Sequence, residues 1–143
     1  RLNQFDTQHL FAPLHTSLTN TTEPYSVTFY PSTTVMSTIA DFSHYVIAFL
    51  NGGSYNGKRI LQENSVAEML RLQIPSAGLA HIWWVHGSGY MGHTGSFFGV
   101  SSSMDVNRAT KTGVIIFTNI ANKNAVWPGG EIYRLIHDEA KNY

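Results

Sequence analysis

Apolar and polar positions change rhythm twice along this chain. Ile39, Phe42, Val46, Phe49 and Leu50 recur at helical spacing and give one apolar face. Ser37 or Thr38 is placed to cap that helix, and Asp41 lies in its first turn, where a carboxylate favours the helix dipole. Asn51-Gly52-Gly53 supplies the stop. After a turn at 54–58, a second helix is expected from about Ser65. Ser65 and Glu68 have capping-box spacing there, and Val66, Met69 and Leu70 form the buried side.

From Leu79 the period becomes that of strands. Strands are expected over 79–85, 90–96 and 98–104, with Gly87-Ser88-Gly89 as a hairpin connection and a polar turn over 105–111. The continuous apolar run 113–118 predicts a strand buried on both faces. A last helix over 130–142 would set Ile132, Leu135, Ile136 and Ala140 on its buried face.

These elements predict an α+β fold: an antiparallel sheet of three to four strands with flanking helices, carried by residues 35–143. Residues 1–34 read as an irregular segment, rich in Pro, Thr and Asn with aromatic residues interspersed. At that length such a segment is expected to line something functional or to pack against further chain, as a remnant of a helical region.

Composition narrows the class without naming it. Nine Lys and Arg balance nine Asp and Glu, so no electrostatic footprint points to nucleic acid. Cysteine is absent, which excludes disulfides and thiolate metal sites and leaves the compartment open. No apolar run has the roughly 18–20 residues a membrane helix needs. The chain begins with Arg1 rather than Met, which is read as a processed or partial chain. Asn20-Thr21-Thr22 is a formal glycosylation sequon of low information.

The stretch with chemistry in it is Gly92-His93-Thr94-Gly95-Ser96. A titratable ring, hydroxyls and glycines stand there where a strand would carry bulky residues. Glycine in a strand marks the close approach of another backbone or a ligand, so this strand is expected to wall a binding site. The lysines offer no nucleophile partner. Three residues before Lys58, Lys111, Lys123 and Lys141 stand Tyr55, Arg108, Ile120 and Asp138, so Ser-x-x-Lys is absent. A Gly-x-Ser-x-Gly elbow is absent too. Ser54-Tyr55-Asn56 reads as a turn, and Lys111-Thr112-Gly113 as a decoy for the His93-Thr94-Gly95 triplet. His81, His86 and His93 match no metal-ligand spacing, and no metal or cofactor is implied. Trp83-Trp84 reads as core rather than as a stacking platform.

Taken in order, several pieces from Tyr30 onward resemble the serine beta-lactamase-like family, which comprises class C beta-lactamases, D-alanyl-D-alanine carboxypeptidases and related esterases. They are Tyr30-Pro31, the segment 37–42, Leu50-Asn51-Gly52-Gly53, the stretch 56–61 and the helix around Glu68-Met69-Leu70. Gly92-His93-Thr94-Gly95, Gly99 and a run closing on Thr118-Asn119 follow. The resemblance implies an incomplete transpeptidase-like fold and a site wall bordering an acyl substrate. It gives His93 a place beside the nucleophile and Thr94 a hydrogen bond to the substrate. Gly95 would allow close backbone approach, and the Ser96 N–H would be an oxyanion donor. His93 and Ser96 are thus the catalytic candidates, Thr94 and Gly95 the substrate-binding ones. The family's nucleophilic Ser-x-x-Lys and Tyr-x-Asn are not present, and histidine replaces the commoner lysine, which disfavours beta-lactamase activity.

Three functions follow as expectations. The first is a C-terminal part of a serine acyl hydrolase, inert alone, acting with a small-molecule or peptide acyl substrate and with the missing N-terminal portion. An extracytoplasmic place is implied by resemblance only. The second is a stand-alone, self-associating binding module with both sheet faces covered. The third is a histidine-based metal enzyme.

Overall fold

A computed structural model describes residues 12–23, 25, 27–33 and 35–142. The architecture is α+β, built on a four-stranded antiparallel sheet in sequential order: β5 (Trp84–Gly87), β6 (Tyr90–Phe97), β7 (Val100–Asn107) and β8 (Thr112–Thr118). Ahead of it come β1 (Leu14–His15) and β2 (Thr21–Thr22), α1 (Tyr30–Thr33), α2 (Ile39–Leu50), β3 (Ser54–Tyr55), β4 (Lys58–Arg59) and α3 (Glu63–Leu70). After it come α4 (Lys123–Val126) and α5 (Glu131–Ala140).

The helix α2 forms as its sequence dictates. The Thr38 side chain accepts from the Asp41 N–H at 3.0 Å, and Thr38 Oγ1 in turn donates to the Asp41 carboxylate at 2.9 Å. Its face of Val46, Phe49 and Leu50 is buried with Trp83, Val106 and Val66, and Phe49 stacks on Trp83 at 4.5 Å. This layer covers the sheet face that carries Met91, Met104, Val106 and Ile115. Val46 approaches so closely that a side chain at Gly113 would collide with it.

The opposite face carries Tyr90, Gly92, Asp105, Val114 and Ile116, and α4 and α5 lie on it with Val126 and Tyr133 buried. The strand β8 therefore alternates: Val114 and Ile116 are buried, whereas Ile115 is half-buried and Phe117 is 39 % exposed. The strand is thus fully buried on one face only, not on both as its continuous apolar run predicts.

Other boundaries move for physical reasons. The helix α3 starts at Glu63 behind Gln62, with no side-chain cap, because Glu68 is engaged by Arg71 (2.6 and 2.8 Å) instead of reaching back to Ser65. The strand expected over 79–85 begins only at Trp84. Ala80 N–H donates to the Trp83 carbonyl, which closes a tight turn through His81 and Ile82. Asp105 belongs to β7 rather than to the following turn, which is 108–111. On α5 the buried residues are Tyr133 and His137, while Ile132, Leu135 and Ile136 are 40 %, 64 % and 38 % exposed. The aliphatic row is thus the outer face of that helix.

The amino-terminal segment, expected to be irregular throughout, holds a short hairpin and one helical turn among its described residues; 1–11 lie outside them. His15 N–H donates to the Asn119 carbonyl at 2.8 Å, and Asn119 Nδ2 donates to the Pro13 carbonyl at 2.8 Å. Further on, Tyr25 donates to the Phe98 carbonyl at 2.7 Å and packs on Phe97. The segment therefore seats beside the β6–β7 turn and the end of β8.

Candidate functional site

The strand β6 is set by two reversals. Ser88 and Gly89 both take positive φ (51° and 79°), as a two-residue hairpin between right-twisted strands requires. At the far end Gly99 (φ 76°) turns the chain into β7, with Leu14 packed where a side chain would stand. Between them β7 pairs with β6 from Met91 to Phe97, but β5 pairs with it only over Tyr90, Met91 and Gly92. From His93 to Phe97 no strand lies on the other side among the described residues.

The carbonyl of Ser101 accepts from Thr118 Oγ1 at 2.9 Å, so that residue of β7 turns toward β8. Ser101 faces Ser96 across the β6–β7 ladder, and alternate residues of an antiparallel strand turn their backbone groups to opposite sides. The backbone groups of Ser96 and Thr94 thus face the open edge. His93 is exposed and its Nδ1 donates to the Thr94 carbonyl at 2.7 Å, which leaves Nε2 as the unengaged ring nitrogen. Thr94 and Gly95 are half-buried and Ser96 is exposed. The Ser96 hydroxyl lies 3.4 Å from both the Val100 carbonyl and the Ser101 hydroxyl. Gly95 leaves room for the Ser102 hydroxyl, which a side chain there would strike, and its carbonyl accepts from Trp127 Nε1 at 3.3 Å. The four candidate residues thus form one continuous, partly open strand edge.

The other triplet is consumed by packing. Lys111 Nζ donates to the Leu50 carbonyl at 2.8 Å and so holds the end of α2. Thr112 Oγ1 lies 2.9 Å from Tyr90 Oη and 2.7 Å from Thr110 Oγ1, and Gly113 is the contact point for Val46. Ser54-Tyr55-Asn56 runs into a two-residue hairpin turn at Asn56-Gly57, with Tyr55 stacked on His44 at 4.6 Å.

The histidines do not converge as the metal reading needs. His81 is half-exposed beside Glu68 at 3.5 Å, His86 is turned into the core, and His93 stands on the strand edge. Among the described residues no three of His, Asp and Glu form a metal-binding group.

A buried cluster went unseen in the sequence. Asp105, fully buried, lies 2.5 Å from His86 Nδ1 through Oδ1 and 3.0 Å from His137 Nε2 through Oδ2. Burial pushes its carboxyl up, but the two imidazoles of His137 and His86 set against its oxygens outweigh that and hold it below the ordinary range. Tyr133 stacks on His137 at 3.8 Å, and burial followed by the Asp105 charge raises its hydroxyl well above the usual value. Ser103 Oγ is 3.5 Å from Oδ2. The order of groups is wrong for a Ser-His-Asp relay. Such a relay needs an imidazole between hydroxyl and carboxylate, whereas here the carboxylate sits between two imidazoles and the hydroxyl joins it directly. The one sequence signal was the histidine at position 137, on the face of α5 that carries Tyr133.

Two shallow concavities flank the sheet. One is lined by Thr16, Phe97, Phe98, Gly99 and Ala121, next to the open edge. The other lies by the β5–β6 turn, over Leu70, Met91 and Val106. Among the described residues no helix is long and apolar enough to cross a membrane. No family model matches the chain, and no curated protein matches it by sequence.

Proposed function

We propose that this chain supplies the substrate-binding strand of a serine acyl-hydrolase site, acting on peptide, amide or ester substrates, with the nucleophile contributed from outside these 143 residues. The observation that carries the reading is the open edge of β6, where the Thr94 N–H and the Ser96 backbone groups turn outward beside an exposed imidazole that itself caps the Thr94 carbonyl. An N–H held rigidly in a sheet stabilises the negative charge that develops on an acyl oxygen, because no reorganisation is needed as the charge forms. The edge also offers an extended substrate backbone the hydrogen bonds of an added strand. The fixed Nδ1–H of His93 leaves Nε2 free to take or give a proton, which supports a role beside the attacking hydroxyl. The Ser96 hydroxyl lies against the Val100 carbonyl and the Ser101 hydroxyl, neither of them a base, which supports a nucleophile from elsewhere.

Backbone amide shifts of the full chain on titration with an N-acylated dipeptide bearing a free carboxylate test the reading. The expected perturbations centre on Thr94, Gly95 and Ser96. Perturbations confined to the concavity by Leu70 and Arg108 contradict it.

The alternative, a stand-alone binding or assembly module, draws on a different observation. Helices cover parts of both sheet faces, α2 on one and α4 with α5 on the other. On this reading the open edge binds without catalysing.

A further inference from the structure

The buried Asp105 cluster is unused by the strand edge, yet it ties together three elements: β5 through His86, β7 through Asp105 and α5 through His137. Two of the three side chains are less than one-tenth exposed, the third not at all. His137 decides what the cluster does. Its Nδ1 lies 2.9 Å from the Tyr133 carbonyl, which can only accept a hydrogen bond. Its Nε2 lies 3.0 Å from an oxygen of Asp105 that, ionised, also only accepts. A neutral imidazole with its one N–H on the Tyr133 carbonyl offers Asp105 no charge, whereas an imidazolium keeps that bond and gives the buried carboxylate a cationic neighbour. The Nε2 contact is not aligned as a hydrogen bond, so its attraction is mainly that of charge.

We propose that the C-terminal helix α5 is docked on the sheet by a proton: His137, held as an imidazolium between the Asp105 carboxylate and the Tyr133 carbonyl, clamps the helix, and loss of that proton at higher pH loosens it. The groups facing His137 agree with the assignment. Asp105 faces it from β7 as the only charged group in the cluster besides the histidines, with His86 on the other carboxylate oxygen. Tyr90 of β6 meets the ring edge-on at 4.8 Å, and Tyr133 of α5 stacks on it. Asp138, on the same helix, is exposed and its charge is offset by Lys141 at 2.6 Å and by Arg134 nearby. Removing the proton leaves a buried carboxylate with one fewer positive neighbour, which opposes docking.

The clamp also reaches the candidate site. The Asp105 carboxylate lies in the space a side chain at residue 92 would fill, directly before His93, so loosening it is felt at the start of the open edge.

The test is nitrogen-15 NMR of the histidine rings in the full chain between about pH 5 and pH 9, with amide protection factors of α5 followed in parallel. At the low end both His137 nitrogens are expected to be protonated. As that proton leaves, protection over Tyr133–Ala140 is expected to fall about tenfold or more with the same midpoint, while β7 and β8 keep theirs. His137→Gln keeps an amide donor without a titrating ring, and its α5 protection is expected to be independent of pH in this range. A neutral His137 ring at the low end overturns the proposal, as does unchanged α5 protection through the ring's titration. Wild-type pH dependence retained in His137→Gln does the same. The wild-type titration decides alone if the variant does not fold.

Discussion

The carboxylate of Asp105 occupies the space that a side chain at Gly92 would need; a Cβ built there collides with Oδ1 and with the Met104 carbonyl. Gly92 is therefore a packing residue for a buried anion as well as the entry to the candidate strand edge. Gly92→Ala is expected to destabilise the fold by about 1–3 kcal/mol, the range for overfilling a packed interior, as measured by chemical denaturation. A cost within about 0.5 kcal/mol would show that the carboxylate can move aside.

Lys111 and His93 separate structure from chemistry. Lys111→Met removes the donor to the Leu50 carbonyl and is expected to cost about 0.5–1.5 kcal/mol of stability while leaving acyl transfer unchanged. His93→Ala, on an exposed side chain, is expected to leave stability within about 0.5 kcal/mol. In a protein that also carries the nucleophile, the same change is expected to slow turnover by about a hundredfold or more. Kinetics that respond to Lys111 rather than His93 would reverse the assignment of the two triplets.

The two faces of α5 give opposite mutational outcomes. Tyr133→Ala opens a cavity under the helix and is expected to cost about 3–5 kcal/mol, as large aromatic truncations do. Leu135→Glu, at a position 64 % exposed, is expected to change stability by no more than about 0.5 kcal/mol. Thermal or urea unfolding of the two variants measures both. A larger effect at Leu135 than at Tyr133 would mean that the aliphatic row is covered in solution.

Asp105 sets the acid limb of stability. Its carboxyl is held below the ordinary range in the fold, so the folded state binds fewer protons than the unfolded chain near that range. The stabilisation is complete above the unfolded value of about 3.9 and is lost as pH falls through the lower folded value. Asp105→Asn is expected to be less stable at neutral pH and to lack this acid limb. Urea unfolding across the acid range would show it, and an unchanged acid limb would place the titrating carboxylate elsewhere.

Much of this fold is local and therefore legible in the residues. The Thr38–Asp41 cap, the Asn51-Gly52 stop, the Ser88-Gly89 and Asn56-Gly57 turns and the four-stranded antiparallel order all depend on neighbours in sequence. What sequence pattern misreads is decided by distant partners. Asp105 reads as a turn residue until His86 and His137 are placed against it. The face of α5 reads as Ile132, Leu135 and Ile136, because aliphatic residues outweigh Tyr133 and His137 on any hydropathy count. That helix nevertheless packs its aromatic, hydrogen-bonding side on a sheet face lined by Ser101, Ser103 and Asp105. Ser65 reads as a cap because it stands three before Glu68, but Arg71 takes that carboxylate. At the strand edge the triplet was visible, whereas its openness rests on where β5 stops pairing.

The central claim, a substrate-binding edge without its nucleophile, is tested most directly by activity-based labelling. The folded 143-residue chain is incubated with a fluorescent fluorophosphonate and a fluorescent penicillin, and any adduct is located by peptide mass spectrometry. The expected result is no covalent label on any serine. Stoichiometric acylation or phosphonylation of one, Ser96 or Ser101 above all, would contradict the account.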